Sequence, residues 1–354
     1  MTSADLAFDQ AGRGPAVVLI HGHPFNRSMW APQVAALQDR YRVIVPDLRG
    51  YGESPVGVGS VGVGPVGVGP VGVGMVTMAE LAGDIRALLD RVGVGPAALV
   101  GLSMGGLVLM ELAAAEPDRW WALGFIATTA QPPSPRDAAT RLDMARTAEE
   151  QGMGPIAEMM GPRLFGPHPD RGLTEQVTAM MLATNPLGAA AALRGRAQRP
   201  DYRPVLRTLR THALVCTGDH DGYSTADVTA ELAGCLTDPE VVLLKGAGHL
   251  PNLEQTEAFN DHLLAFLDRT RPLAGRKSLN RPGSTAAASP GRIDIDPPDP
   301  EGGTRISVAV TGELPGEAFS VVFAVRPDDE VPAIRADQPS LGGKMPGQAH
   351  HVVV

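Results

Sequence analysis

Short apolar runs bounded by Gly, Pro or Asp recur along much of the chain, at 16–20, 42–46, 97–101, 123–128, 213–217 and 241–244. Runs this short, apolar at successive positions, predict strands buried on both faces of a sheet. The segments between them carry a helical period. Leu81, Ile85, Leu88, Leu89 and Val92 fall on one face behind a polar start at Thr77. Strands alternating with helices imply a mostly parallel central sheet flanked by helices, the α/β class.

The alternation lapses between Ala130 and about Arg210, where Ala, Met and Arg dominate and helical stretches break at Gly161-Pro162, Gly166-Pro167 and Asn185-Pro186. A helical insertion between two core strands would sit over the C-terminal edge of the sheet, where open α/β folds bind ligands, and is expected to act as a lid. Residues 56–75 are four tandem pentapeptides, VGVGS, VGVGP, VGVGP and VGVGM. Their glycines make ordering costly and they offer no polar anchor, so a mobile surface loop is expected, a tolerated insertion rather than a functional device. After the helix that carries Phe259, Leu263, Leu264 and Leu267, the chain turns rich in Pro, Gly, Ser and Asp. The reading is therefore an α/β domain over 1–271, with a lid at about 130–210, and a tail over 272–354. The tail is expected to be disordered apart from a small hairpin formed by TRISVAV and FSVVFAV.

Composition narrows the function classes. A net charge of −9 argues against general nucleic-acid binding, which needs a basic surface. No apolar run approaches the roughly 20 residues of a membrane span, and the N-terminal MTSADLAFDQ lacks the basic and apolar regions of a secretory signal, so a cytoplasmic protein is expected. Two cysteines, Cys216 and Cys235, are too few for a disulfide framework and are read as packing residues.

The sharpest chemical signal is Gly101-Leu102-Ser103-Met104-Gly105, set directly between an apolar strand and the helical LVLMELAAA. A strand-to-helix turn of this kind lifts a serine oxygen above the sheet edge, and the flanking glycines remove Cβ atoms that would clash. Met104 opens the helix, so its backbone N–H is expected to hold an oxyanion. A serine hydroxyl needs a base to take its proton. His249, in Gly246-Ala247-Gly248-His249 just past the last core strand, is the best placed of nine histidines. The imidazole in turn needs a carboxylate to fix its tautomer. Asp221 follows a core strand in Thr217-Gly218-Asp219-His220-Asp221 and is preferred, with Asp219 as the alternative, whose other role would be to cap local backbone. A second oxyanion donor is expected after the first apolar strand, in His21-Gly22-His23-Pro24-Phe25. Pro24 has no N–H, so His23 is chosen, with the His21 side chain structural and Phe25 and Trp30 either lining the pocket or in the core.

With these residues in place the chain resembles the α/β-hydrolase superfamily over roughly 6–269, through HGHPF, DLRGYGES, GLSMGG and GAGHLPNLEQ. The resemblance implies that Asp47 and Arg49 are structural. The insertion segment MMLATNPLGAAAALRGRAQRPDY resembles that of 3-oxoadipate enol-lactonase-like hydrolases, which cleave a small carboxylated lactone without a cofactor; carboxylesterases, cofactor-free perhydrolases and thioesterases share the same core. Ser103 speaks against the branches with an Asp nucleophile. The expectation is a serine hydrolase acting on a small ester or lactone, with no metal cluster or dinucleotide motif and so no cofactor. The different-class rival is a ligand-binding protein that keeps the scaffold without turnover. Arg194, Arg196 and Arg199 could pair with a substrate carboxylate, although solvated arginines on a polar helix face are the commoner pattern.

Overall fold

Every residue of Ala16–Ile20 is buried, and its side chains alternate between two separate cores: Val18 and Ile20 enter one, Val17 and Leu19 the other. Period-2 alternation of an all-apolar segment is what a strand covered on both faces requires. The computed structural model describes residues 4–56 and 74–272, together with the backbone of three strands beyond them. Seven strands form the main sheet: β1 (Phe8–Ala11), β2 (Ala16–Ile20), β3 (Arg42–Pro46), β4 (Ala97–Leu102), β5 (Trp120–Ile126), β6 (His212–Gly218) and β7 (Glu240–Leu244). Their order is β1-β3-β2-β4-β5-β6-β7, and every neighbouring pair is parallel except β1 with β3.

The helices are α1 (Ala31–Leu37), α2 (Met78–Arg91), α3 (Met104–Ala115), α4 (Pro135–Gln151), α5 (Gly154–Met160), α6 (Arg171–Leu182), α7 (Pro186–Ala197), α8 (Arg203–Leu206), α9 (Ala226–Ala233), α10 (Pro251–Glu254) and α11 (Thr256–Thr270). Residues of α2, α3, α8 and α9 cover one face of the sheet. Residues of α1 and α11 cover the other, in a core shared with α4 to α7. Thr77 starts α2 with a reciprocal cap, its hydroxyl accepting from the Glu80 N–H while the Glu80 carboxylate accepts from the Thr77 N–H. The buried positions of that helix include Leu81, Ile85, Leu88 and Leu89, the face that the spacing predicts.

The largest boundary differences from the sequence reading are at β5. β5 starts earlier than expected, at Trp120, and ends at Ile126, because Ala127 takes a positive φ of 46° that a strand cannot continue through. One antiparallel strand, β1, leads the sheet at its edge. The insertion between β5 and β6 is helical, α4 through α8, and its breaks fall where Gly-Pro and Asn-Pro put them: Gly161 follows α5, and Asn185 caps α7 by accepting from the N–H groups of Leu187 and Gly188.

The repeat array falls, apart from its ends, outside the described residues. A second compact unit, Ala274–Pro346, contains β8 (Arg292–Ile295), β9 (Thr304–Ala309) and β10 (Ser320–Val325), paired antiparallel in the order β10-β9-β8. The other residues of the tail lie outside the described residues.

The loop after β3 is held by two buried carboxylates. Asp47 accepts from the N–H groups of Arg27 and Glu53 and pairs with the Arg27 guanidinium. Arg49 donates from Nε and Nη2 to both oxygens of Asp84 on α2, at 2.7 and 2.6 Å, with both side chains buried. A bidentate buried pair is costly to break from one side, because the survivor stays charged and unpaired. Asp84→Asn is therefore expected to lower the stability of the main domain by about 3 kcal/mol, checked by the urea midpoint at pH 7 against the unaltered protein.

Candidate active site

Ser103 sits between β4 and α3 with φ 52° and ψ −110°. A non-glycine residue there is strained, and the neighbours over-determine it. Its N–H donates to the Ile126 carbonyl at 2.8 Å, and its carbonyl accepts from the Thr128 hydroxyl at 2.7 Å and from the Gly106 N–H at 3.0 Å. The glycines of the motif have a steric reason. A Cβ on Gly101 would strike the backbone of Gly105, and one on Gly105 would strike the Ile20 carbonyl. The turn therefore closes only with both Cβ atoms missing.

His249 is 3% exposed and Asp221 5%. Nδ1 of His249 lies 2.8 Å from Oδ2 and 3.0 Å from Oδ1 of Asp221. An ionised carboxylate only accepts, so Nδ1 carries the proton and Nε2 keeps its lone pair. Asp221 is itself pinned by the N–H groups of Tyr223 and Ser224, at 2.7 and 2.9 Å, and by the Thr217 hydroxyl at 3.1 Å. Burial alone would push its pKa up, but the imidazole and these donors outweigh burial and hold it below the ordinary carboxylate value. Asp219 does not reach the imidazole. Its carboxylate accepts from the Gly246 N–H at 2.7 Å, which closes the loop that carries His249.

Ser103 and His249 line one cavity of about 400 Å³. Among the described residues no hydrogen bond joins their side chains. His23 also lines it, beside the loop after β2, and Met104 starts α3, where its N–H has no intrahelical acceptor. The insertion contributes Asp137, Arg141, Met144, Met160, Leu193 and Arg196, among others, to the cavity lining. His21 is structural. Its Nε2 accepts from the Leu48 N–H at 2.9 Å and its Nδ1 donates to the Gly22 carbonyl at 2.8 Å, the neutral tautomer, and burial holds its pKa low. Phe25 and Trp30 lie in the core, with Trp30 6.4 Å from Phe259 between ring centroids.

Sequence reasoning missed three contributors. Glu254 on α10 accepts from the Gly166 N–H of the insertion at 2.7 Å and from the Gly248 N–H at 2.8 Å. The His249 N–H donates to the Leu164 carbonyl at 2.8 Å, so insertion and histidine loop form one unit. The signal was present in GAGHLPNLEQ, where Glu254 stands five residues past His249. Tyr223 packs its ring 5.0 Å from that of His249, between centroids, and carries the Arg163 guanidinium 4.3 Å above its own. Tyr51 meets Nδ1 of His23 at 2.7 Å through its hydroxyl. Cys216 and Cys235 are both buried thiols, and burial raises the pKa of each.

A largely parallel sheet, a strained serine at a strand-to-helix turn and a buried His–Asp pair past later strands are the arrangement of the α/β-hydrolase fold. The chain belongs to the alpha/beta hydrolase family, whose model matches residues 17–262. It is similar to 3-oxoadipate enol-lactonase 2 of Acinetobacter baylyi, 30% identical over 76% of this chain and 96% of that one. Among solved structures, a thermophilic esterase from Thermogutta terrifontis with malate bound matches with TM-score 0.68 and 36% identity, over 75% of this chain and 94% of that one. The enol-lactonase from Burkholderia xenovorans LB400 matches with TM-score 0.65 and 29% identity, over 75% and 99%. No helix among the described residues is long and apolar enough to cross a membrane.

Two outcomes follow for this network. Glu254→Gln turns an NH₂ toward one of the backbone donors and is expected to cost about 1–3 kcal/mol, read as a drop in thermal midpoint. Asp221 has a depressed folded pKa, so its ionised form stabilises the fold above its unfolded pKa of about 3.9 and that stabilisation is lost as pH falls through the lower folded value. The stability gap between the unaltered protein and Asp221→Asn, measured by urea unfolding, is expected to be wide at pH 7 and to narrow below about pH 4.

Proposed function

We propose that this protein is a serine hydrolase that cleaves a small carboxylic ester or lactone through an acyl-enzyme. The observation that carries the reading is the 2.8 Å hydrogen bond between His249 Nδ1 and Asp221. Asp221 holds the proton on Nδ1 and leaves the Nε2 lone pair free, and His249 and Ser103 line the same cavity.

Ser103 Oγ attacks the carbonyl carbon while Nε2 of His249 takes its proton. The N–H groups of Met104 and His23 receive the negative oxygen, and the Asp221 carboxylate stabilises the imidazolium. Collapse breaks the bond to the leaving alkoxide, which His249 protonates. In a lactone the alcohol stays attached to the acyl group. Water then attacks the acyl-enzyme with His249 again as base, Ser103 recovers its proton, and the carboxylate product leaves. The groups named supply every proton transfer, and the reading calls for no cofactor.

The insertion acts as a lid in this reading, since it lines the cavity that holds Ser103 and is tied to the histidine loop through Leu164 and Gly166. Similarity to enol-lactonases and to an esterase supports the choice of lactone or ester over thioester or peracid on the same machinery. Two buried free thiols suit a reducing, cytoplasmic setting.

A fluorophosphonate is expected to label Ser103 in the unaltered protein and to label neither Ser103→Ala nor His249→Ala. Turnover of p-nitrophenyl esters or an enol-lactone should fall about 10³-fold or more in both variants. Folded protein that takes no label and turns over none of these compounds is a binding protein on a hydrolase scaffold, and the proposal is then wrong.

A further inference from the structure

The insertion brings like charges together. Helices α4 and α7 pack on each other, and Arg141 of α4, Arg196 at the end of α7 and Arg199 just beyond all line the cavity that holds Ser103. Repulsion between three guanidiniums in one desolvated wall is a standing cost unless an anion joins them.

Their partners do not meet that cost. Arg194, on the same helix, is satisfied by both oxygens of Glu149 at 2.7 and 2.6 Å. The Arg196 guanidinium has no hydrogen bond or ion pair to any described residue, and its Nε is a buried donor without an acceptor. Nε of Arg141 is another, although its Nη1 reaches the Asp137 carbonyl at 2.9 Å. Arg199 is 7% exposed and touches only backbone, the carbonyls of Gln131 and Arg196, each at 3.2 Å. Nε2 of His23, 1% exposed on the same cavity, also lacks a partner. Buried donors are almost always satisfied, so donors that find no protein acceptor and gather on one cavity are offered to what that cavity binds. Burial, joined by mutual repulsion among these arginines, pulls Arg196 down to about 9 and Arg199 to about 10.

Charge counting sets the ligand. Among the arginines Asp137 is the carboxylate at hand on the cavity wall, and it lies beside Arg141. Asp137 acts on both Arg141 and Arg199, so the three guanidiniums together keep two positive charges that no carboxylate of the wall compensates. Arg163, the remaining arginine of the wall, is engaged by the Tyr223 ring and the Gly222 carbonyl. A cavity of about 400 Å³ limits the whole substrate to a small molecule.

We propose that Arg196 and Arg199, flanked by Arg141, form a specificity site for a dianionic head group, so that the substrate is a small ester or lactone bearing two carboxylates remote from the carbonyl that Ser103 attacks. The reacting end of this inference rests on the hydrolase reading above; the head-group end does not, because binding at the arginines needs no turnover.

The test separates the two. Binding to full-length Ser103→Ala is measured by calorimetry in 0.15 M NaCl for propane-1,2,3-tricarboxylate, glutarate and butyrate, with three, two and one carboxylates. Affinity is expected to rise about tenfold with each added carboxylate, as charge-assisted hydrogen bonds of ordinary strength give. Kinetics on the unaltered protein compare p-nitrophenyl esters whose acyl chains carry two, one or no free carboxylates, with kcat/KM in that order. In Arg196→Gln the ratio of dianionic to neutral kcat/KM is expected to drop at least about tenfold, mainly through KM. The thermal midpoint of the unliganded variant should rise, since a repelled buried charge has gone. A structural arginine would do the opposite and lower it. Equal affinity for all three acids, tighter binding of glutarate than of the tricarboxylate, or an unchanged ratio in Arg196→Gln would overturn the proposal. Loss of label and of all turnover with tricarboxylate binding intact would instead remove the hydrolase reading and keep the site.

Discussion

The backbone of Ser103 is the constraint on which the site depends. A φ of 52° is unfavourable for a serine, so the sheet and helix around it must impose it. β4 ends against β5 through the Ser103 N–H and the Ile126 carbonyl, and α3 starts at once, with no room for a loop. Any relaxation of φ would swing the hydroxyl away from the cavity and tilt α3 away from β4. The strain is kept because the turn is fixed at both ends by elements whose side chains are almost wholly buried, and glycine on either side lets them approach closely enough to hold it.

The histidine side of the site is built from two carboxylates put to different use. Asp221 spends its oxygens on the imidazole and the turn behind it. Glu254 spends its oxygens on backbone donors from two loops far apart in sequence, 166 and 248. Burial raises the pKa of Glu254, while Asp221 stays low because a basic ring stands beside it. One carboxylate therefore sets the chemistry of His249, and the other sets where His249 stands. Because the second also holds the insertion, the wall of the cavity and the imidazole inside it cannot move independently.

The parts legible in the sequence are those whose physics is local. A run of five apolar residues can only be a buried strand in a protein of this kind, so β2, β3, β4 and β6 are legible almost to the residue, while the end of β5 is not, because the bend at Ala127 has no signature in alanine. The serine turn was legible because its glycines and flanking elements are contiguous. Asp221 was harder to separate from Asp219, two positions away, and the loop geometry that divides them depends on Gly246, a residue from another strand's end. Sequence leaves the arginines between a substrate carboxylate and a solvated face, because single-helix spacing cannot reveal what packs on the helix. Arg194 and Arg196 are two residues apart, yet one finds Glu149 and the other finds Arg141 and Arg199, both contacts set by how α4 lies on α7.

That packing also explains how an acidic protein can present a basic cavity. The chain carries a net charge of −9, which at long range disfavours anions, but ionic screening confines that effect to roughly 8–10 Å from each exposed group. Guanidiniums set in a desolvated wall are screened far less, so within the cavity their field dominates whatever the total charge. The small residues of α7 make this possible. Ala189, Ala190, Ala191 and Ala192 are all buried, which lets the helix sit close against its neighbours while its long arginines collect at one end. A larger side chain at those positions would lever α7 outward and admit water between the arginines. With water there, each charge would be solvated, the repulsion would fade, and the selectivity of the wall would fade with it, since attraction for an anion and discomfort in its absence come from the same desolvation.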